Sequence, residues 1–192
     1  MQGDTGLPAS PAEWSGWWAP YTDDIYREAL AALRPGQTIL DIGAGDLRFA
    51  RRAVALGCRV IAVEMQMSVV QSGIGRGPLP DGLSVIIADA RDWPFPSGLD
   101  AAVLLMQYCT DYALYVRKLR AVGCPLLVTN ARWRLGVEAI PLAPAAPYRA
   151  DRIGWFACVR CGHTGFTPGD PALITEEVAE HVTNVEGCPA CM

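Results

Sequence analysis

The chain is poor in lysine, poor in histidine and short of long apolar runs. Lys118 is the single lysine among 16 basic residues, and His163 and His181 are the 2 histidines. The most conspicuous apolar run, Ala101–Met106, falls far short of the roughly 20 residues that span a bilayer, so no membrane helix is expected. Met1–Ser10 has neither a basic start nor an apolar stretch, so no secretory signal is expected and the default location is cytoplasmic. Positive charge is not in excess either. Sixteen basic and 20 acidic residues leave a net −4, which gives no electrostatic case for nucleic acid.

What the chain does have is apolar content: 51% of 192 residues, against 19% charged. That excludes disorder as the dominant state and predicts one domain of ordinary size with a small appendage. The charge imbalance is local. From Asp151 onward, Arg152 and Arg160 face six acids (Asp151, Asp170, Glu176, Glu177, Glu180 and Glu186), which accounts for the whole −4.

Residues 1–20, with Trp14, Trp17 and Trp18, read as an arm laid on the surface. Thr22 reads as the N-cap of a helix over Asp24–Leu33, with Asp23 and Asp24 in its first turn. Apolar strands then alternate with amphipathic helices. Strands are expected at Thr38–Ile42, Arg59–Glu64, Leu83–Ala88, Asp100–Met106 and Pro125–Thr129, and helices at Leu47–Leu56, Gln66–Ser72 and Tyr112–Val122. This alternation predicts an α/β fold, a doubly wound Rossmann-like mostly parallel sheet. Val137–Leu142 is a candidate extra strand, and the Pro-rich stretch Pro141–Pro147 reads as a linker to a cysteine-bearing tail. The expected organisation is an arm (1–20), an α/β domain (21–147) and a small C-terminal module (148–192).

In open α/β sheets ligands bind beyond the carboxyl ends of the strands. The first strand ends in Asp41-Ile42-Gly43-Ala44-Gly45-Asp46. Gly43 and Gly45 allow close approach to the backbone and positive φ, and the following helix start offers N–H groups. Glu64 ends the second strand, where a carboxylate accepts both hydroxyls of a ribose. Asp89-Ala90 ends the third, where an acid and a neighbouring N–H can read an adenine edge. Asp46 reads equally as a ligand-loop acid or as the next helix's N-cap. A dinucleotide loop wants G-x-G-x-x-G, but Arg48 occupies the third glycine position, and Asp41 sits badly beside a pyrophosphate. Beside a cationic sulfonium and an amino group it sits well. S-adenosylmethionine is therefore favoured over NAD, with an NAD-dependent oxidoreductase as the remaining nucleotide-cofactor alternative.

On these residues the chain resembles the class I S-adenosylmethionine-dependent methyltransferases. The matching stretches are Ile39–Gly45, Val60–Glu64, Ala88–Phe95 and Leu99–Val103, within roughly residues 20–130. The resemblance implies that Gly43 and Gly45 hold the methionine moiety, Glu64 the ribose, and Asp89 with Ala90 the adenine. There are departures. Leu47 stands where the glycine loop usually has a third small residue, leaving open whether the pocket is impaired. Met106-Gln107-Tyr108-Cys109 carries no Asn-Pro-Pro-Tyr or Asp-Pro-Pro-Tyr signature, so methylation of a nucleobase amino group has no motif support. The family's last pair of strands is shortened or replaced.

Cys158-Val159-Arg160-Cys161 and Cys188-Pro189-Ala190-Cys191 are two C-x-x-C knuckles with 26 residues between them. Four thiolates can hold one tetrahedral metal, so the tail resembles a zinc ribbon with a closed, structural Zn2+ site. Two disulfides and a redox dithiol are the competing accounts, and His163 is a candidate replacement for one thiolate. Cys58, Cys109 and Cys124 read as small core residues. The net −4 of the tail points to a protein contact, or to packing over the pocket, rather than to phosphates.

Acceptor contacts are expected from Trp17–Tyr21, Gln107–Asp111 and Thr129–Arg134. Tyr108 and Asp111 are candidate proton acceptors, set against a core aromatic and a helix cap. Arg117, Lys118, Arg120, Arg132 and Arg134 are a candidate basic patch. The functional expectation is an S-adenosylmethionine-dependent methyltransferase with an unidentified acceptor: protein, RNA or small molecule. The alternative is a catalytically degenerate methyltransferase-like scaffold that uses its zinc ribbon for protein contacts.

Overall fold

The computed structural model describes residues 21–75, 77–132 and 136–191. The expected arm and its tryptophans lie outside those residues, as does Arg134. The strands form a six-stranded sheet of order β3-β2-β1-β4-β5-β6 and a three-stranded sheet of order β8-β7-β9. By compactness the chain falls into two units, Met1–Trp93 and Pro94–Met192, a division inside the expected α/β domain.

The first unit holds helix α1 (Tyr21–Ala31), strand β1 (Thr38–Ile42), helix α2 (Arg48–Ala55), strand β2 (Arg59–Glu64), helix α3 (Met67–Ile74) and strand β3 (Leu83–Ile87). β1 pairs in parallel with β2, Thr38 opposite Arg59, and β2 with β3, Glu64 opposite Ile87. Ile39, Leu40 and Ile42 of β1 and Ala62 and Val63 of β2 are fully buried, as continuous apolar runs in a covered parallel sheet should be. Thr22 is not the expected cap, because the helix already includes Tyr21. α1 lies along α2 through an edge-on contact of Tyr26 with Phe49 (5.5 Å between centroids) and an Arg52–Asp23 ion pair of 2.5 Å.

In the second unit strand β4 (Ala101–Leu104) pairs in parallel with β5 (Leu126–Thr129), and helix α4 (Tyr112–Ala121) connects them. The candidate extra strand forms as β6 (Glu138–Pro141), antiparallel to β5. Pro141 is tolerated because β6 is the sheet's edge strand. Strands β7 (Gly154–Cys158), β8 (Thr164–Thr167) and β9 (Val182–Val185) build the small sheet, with the short helix α5 (Glu176–Glu180) before β9. Thr175 caps α5 by accepting from the Val178 N–H. The expected linker is not slack. Leu142 N–H donates to Pro125 O, and Ala146 to Tyr148 run beside Glu186. Among the described residues no helix is long and apolar enough to cross a membrane.

Candidate cofactor site and cysteine centre

The glycine loop turns on positive φ at Gly43 (70°) and Gly45 (56°). Its N–H groups are largely turned inward. Gly43 and Ala44 donate to Val63 O at 2.9 and 3.0 Å, and Gly45 donates to Glu64 Oε2 at 3.0 Å. The other Glu64 oxygen accepts the Gln66 N–H at 2.9 Å, so the carboxylate is locked between the first and second strand ends while keeping lone pairs for a further donor. Asp46 is not the expected N-cap, since Leu47 holds that position; Asp46 instead accepts from the Arg48 N–H at 3.4 Å and pairs with its guanidinium at 2.5 Å.

Leu47 takes the left-handed conformation, φ 64° and ψ 11°, and is fully buried. A leucine there carries a strain of about 1–2 kcal/mol that glycine would not. The backbone thus keeps the shape of a small-residue loop while its side chain joins the core. α3 comes down on this loop through Gly73, where an added β-carbon would stand 2.2 Å from Asp46 O and 3.3 Å from Leu47 Cβ.

Asp41 is 3% exposed and its Oδ2 has no hydrogen-bond partner. Burial, and then the nearby Glu64 charge, push its carboxyl from the ordinary 3.8 up to about 7. Tyr26 is held above its usual range mainly by burial and then by Asp41 and Asp46. Sequence reasoning missed Tyr26, whose helical position gave no sign of proximity to β1.

Asp89 lies just past β3, where Ala88 N–H donates to Glu64 O, so the second and third strand ends adjoin. Its carboxylate faces Arg91, which grips it through Nε (3.0 Å to both oxygens), Nη2 (2.6 Å) and the backbone N–H (2.9 Å). The clamp two residues downstream was legible in Asp89-Ala90-Arg91 and was not anticipated. Ala90 is buried beside it. The structure therefore brings Asp41, Gly43, Gly45 and Glu64 together, with Asp89 and Ala90 on the adjoining strand end.

The four knuckle cysteines converge, with all sulfurs within 4.8 Å of one another. Cys158–Cys191 and Cys161–Cys188 are 3.5 Å apart, and Cys188–Cys191 is 3.9 Å. A tetrahedron with metal–sulfur bonds of about 2.3 Å has edges of about 3.8 Å, so the residues fit one tetrahedral ion. Burial opposes charge on Cys158. The backbone N–H groups of Cys188, Cys161 and Arg160 and the Cys191 thiol nonetheless point at its sulfur, and its thiol falls to about 6. His163 is outside the set and lies 6.0 Å from the Phe156 ring. Cys58 and Cys124 are buried as expected, whereas Cys109 is only half-buried in the loop after β4.

Tyr108 is no core aromatic. It is 62% exposed with φ at 60°. Asp111 stands at the cap position of α4 without a side-chain capping bond. Among the described residues the candidate basic patch does not assemble. The Arg132 side chain is wholly buried against Glu138, Arg120 is taken by Glu186, and the Lys118 ammonium sits 4.3 Å from the Phe95 ring centroid, leaving Arg117 exposed. Burial of charged groups depends on a tertiary partner, which helix spacing does not disclose.

No protein-family model matches the chain. Over 68 residues it is 43% identical to Ribosomal RNA small subunit methyltransferase A of Anaeromyxobacter sp. (strain K), and 41% identical to that of Anaeromyxobacter dehalogenans (strain 2CP-C). The matched stretch is 35% of this chain but 22% of those relatives' length. Among solved structures it is similar to a methyltransferase of Thiobacillus denitrificans in complex with S-adenosylhomocysteine, with TM-score 0.54 and 16% identity, over 64% of this chain and 55% of that one. A second is a methyltransferase of Aquifex aeolicus, with TM-score 0.50 and 16% identity, over 64% and 72% of the two chains. The fold is that of the class I S-adenosylmethionine-dependent methyltransferases. A likeness to the (4+2)-cyclase SpnF (TM-score 0.51, 20% identity, 58% of this chain and 45% of that) is a reminder that this fold hosts other reactions, so function is read from the site.

Proposed function

We propose that the chain binds S-adenosylmethionine at the carboxyl ends of β1–β3 and transfers its methyl group to an acceptor not yet identified. One observation carries the reading: a buried, unpartnered Asp41 oxygen under a glycine loop whose own donors are already turned inward. Such a loop has little to offer a pyrophosphate and an acid to offer a cation, which disfavours NAD. Gly43 and Gly45 leave room for the methionine moiety, Glu64 accepts from the ribose, and Asp89 with Ala90 meets the adenine. Bound there, the cofactor would supply an activated methyl on a sulfonium. The protein's part is to seat the cation, orient the acceptor and exclude water. Tyr108 and Asp111, in and beside the loop after β4, remain the candidates for taking the acceptor's proton.

Leu47 does not favour the scaffold alternative, since the loop retains the backbone shape a glycine would give it. We read residues 21–147 as the cofactor-binding domain and 148–192 as a module around a structural Zn2+ held by Cys158, Cys161, Cys188 and Cys191. Reduced thiols there suit a cytoplasmic location. The curated relatives' name makes ribosomal RNA the first acceptor to assay, before proteins and small molecules. Calorimetry should show S-adenosylmethionine and S-adenosylhomocysteine binding, weakened about 10-fold or more by Glu64→Gln. Absence of binding by both would remove the reading.

A further inference from the structure

Glu186 stands two residues before the second knuckle and is gripped from two sides. Its carboxylate takes both ends of the Arg120 guanidinium from α4, at 2.7 and 2.8 Å. Its backbone N–H donates to Ala146 O at 2.8 Å, and its carbonyl accepts from the Tyr148 N–H at 3.1 Å. Arg120 is itself fixed by a 3.0 Å bond from Nε to Leu142 O. The first knuckle reaches the same helix. Gly162, at φ 78°, lies so close to Tyr112 that a β-carbon would stand 2.9 Å from the ring's Cδ1.

The core behind the cysteines is small: Phe156, Cys158, Val185 and Cys188, with Tyr148, Cys161 and Cys191 packed against it. A module of fewer than about 50 residues with so little apolar core needs staples. A bidentate arginine–carboxylate pair is the strongest kind of ion pair for holding two elements in one geometry.

We propose that α4 is the clamp of the metal module. Arg120 on Glu186 and Tyr112 against Gly162 hold the two knuckles in the spacing that closes on one ion, and the bound ion in turn holds α4 in place. The proposal rests on the reading of the four cysteines as a metal site. It makes Glu186 an internal fastening, so the acidity of the tail overstates what the module offers an outside partner. Because coupling between two equilibria is reciprocal, what loosens the clamp weakens metal retention, and loss of metal loosens α4.

The test uses the full chain loaded with Co2+, whose thiolate-to-metal absorption reports four-sulfur ligation, and times its release to excess chelator. Arg120→Met and Glu186→Gln are each expected to speed release about 10-fold, the loss of one charge-assisted pair. The double variant should be no faster than either single, because both break the same clamp. Arg120→Lys, which keeps the cation but not the fork, should fall between. Stripping the metal from the wild type should raise hydrogen exchange across Tyr112–Ala121, and the single variants should show part of that rise while loaded. Wild-type release in both single variants, or additive effects in the double, overturns the clamp. So does an α4 whose exchange ignores the metal. A wild-type chain that gives no cobalt band removes the metal reading and the clamp with it, whereas a normal band with unaltered variant kinetics sinks the clamp alone.

Discussion

Asp41 should make the stability of this protein fall as pH rises from about 4 to about 7, and Asp41→Asn should abolish that fall. The carboxyl is 3% exposed, one of its oxygens has no partner, and Glu64 is close enough to repel its charge. Holding the proton from 3.8 up to about 7 corresponds to stability on the order of 4 kcal/mol, with 1.36 kcal/mol per tenfold in proton affinity. The sign follows from which state binds the proton more tightly. That is the folded state, so the contribution is fully present below about pH 4 and is lost as pH rises through about 7. Urea unfolding from pH 4.5 to 8.5 checks it. The two proteins should be close at the acid end, and Asp41→Asn should be the more stable by about 2 kcal/mol or more at pH 8. Ligand binding should run the other way. A sulfonium cation stabilises the ionised carboxylate, so S-adenosylmethionine should bind more tightly as pH rises from 6 to 8 and release protons on binding, and the neutral thioether S-adenosylhomocysteine should do so less. Parallel stability curves for wild type and Asp41→Asn across pH 5–8 would refute the reasoning.

Two substitutions test the loop itself. Gly73→Ala puts a β-carbon 2.2 Å from Asp46 O, so α3 and the loop must part; a loss of about 2 kcal/mol or more in thermal unfolding is expected, with weakened S-adenosylmethionine binding. Leu47→Gly relieves the left-handed strain of about 1–2 kcal/mol but empties a fully buried site at about 3–4 kcal/mol, for a net loss of about 2 kcal/mol with cofactor affinity retained. Stabilisation by that change would mean the leucine packs poorly.

Period and punctuation made most of the α/β architecture readable from residue order. β1 and β2 fall where their apolar runs predict, Thr38–Ile42 and Arg59–Glu64, because a strand covered on both faces must be apolar throughout. The acids at the strand ends and the paired C-x-x-C knuckles were readable for a similar reason: each is a spacing between residues close together along the chain. Contacts between distant segments were not readable. Nothing in the order of residues says that Arg132 is buried on Glu138, that Arg120 grips Glu186, or that Tyr26 nears Asp41. Nor does it decide between a core aromatic and an exposed side chain for Tyr108, which stands exposed. Local sequence determines periodicity, turns and ligand spacing, since those depend on neighbours along the chain. Which charges are paired, which carboxyl keeps its proton and which glycine abuts a ring depend on what folding brings alongside, and only the tertiary structure decides that.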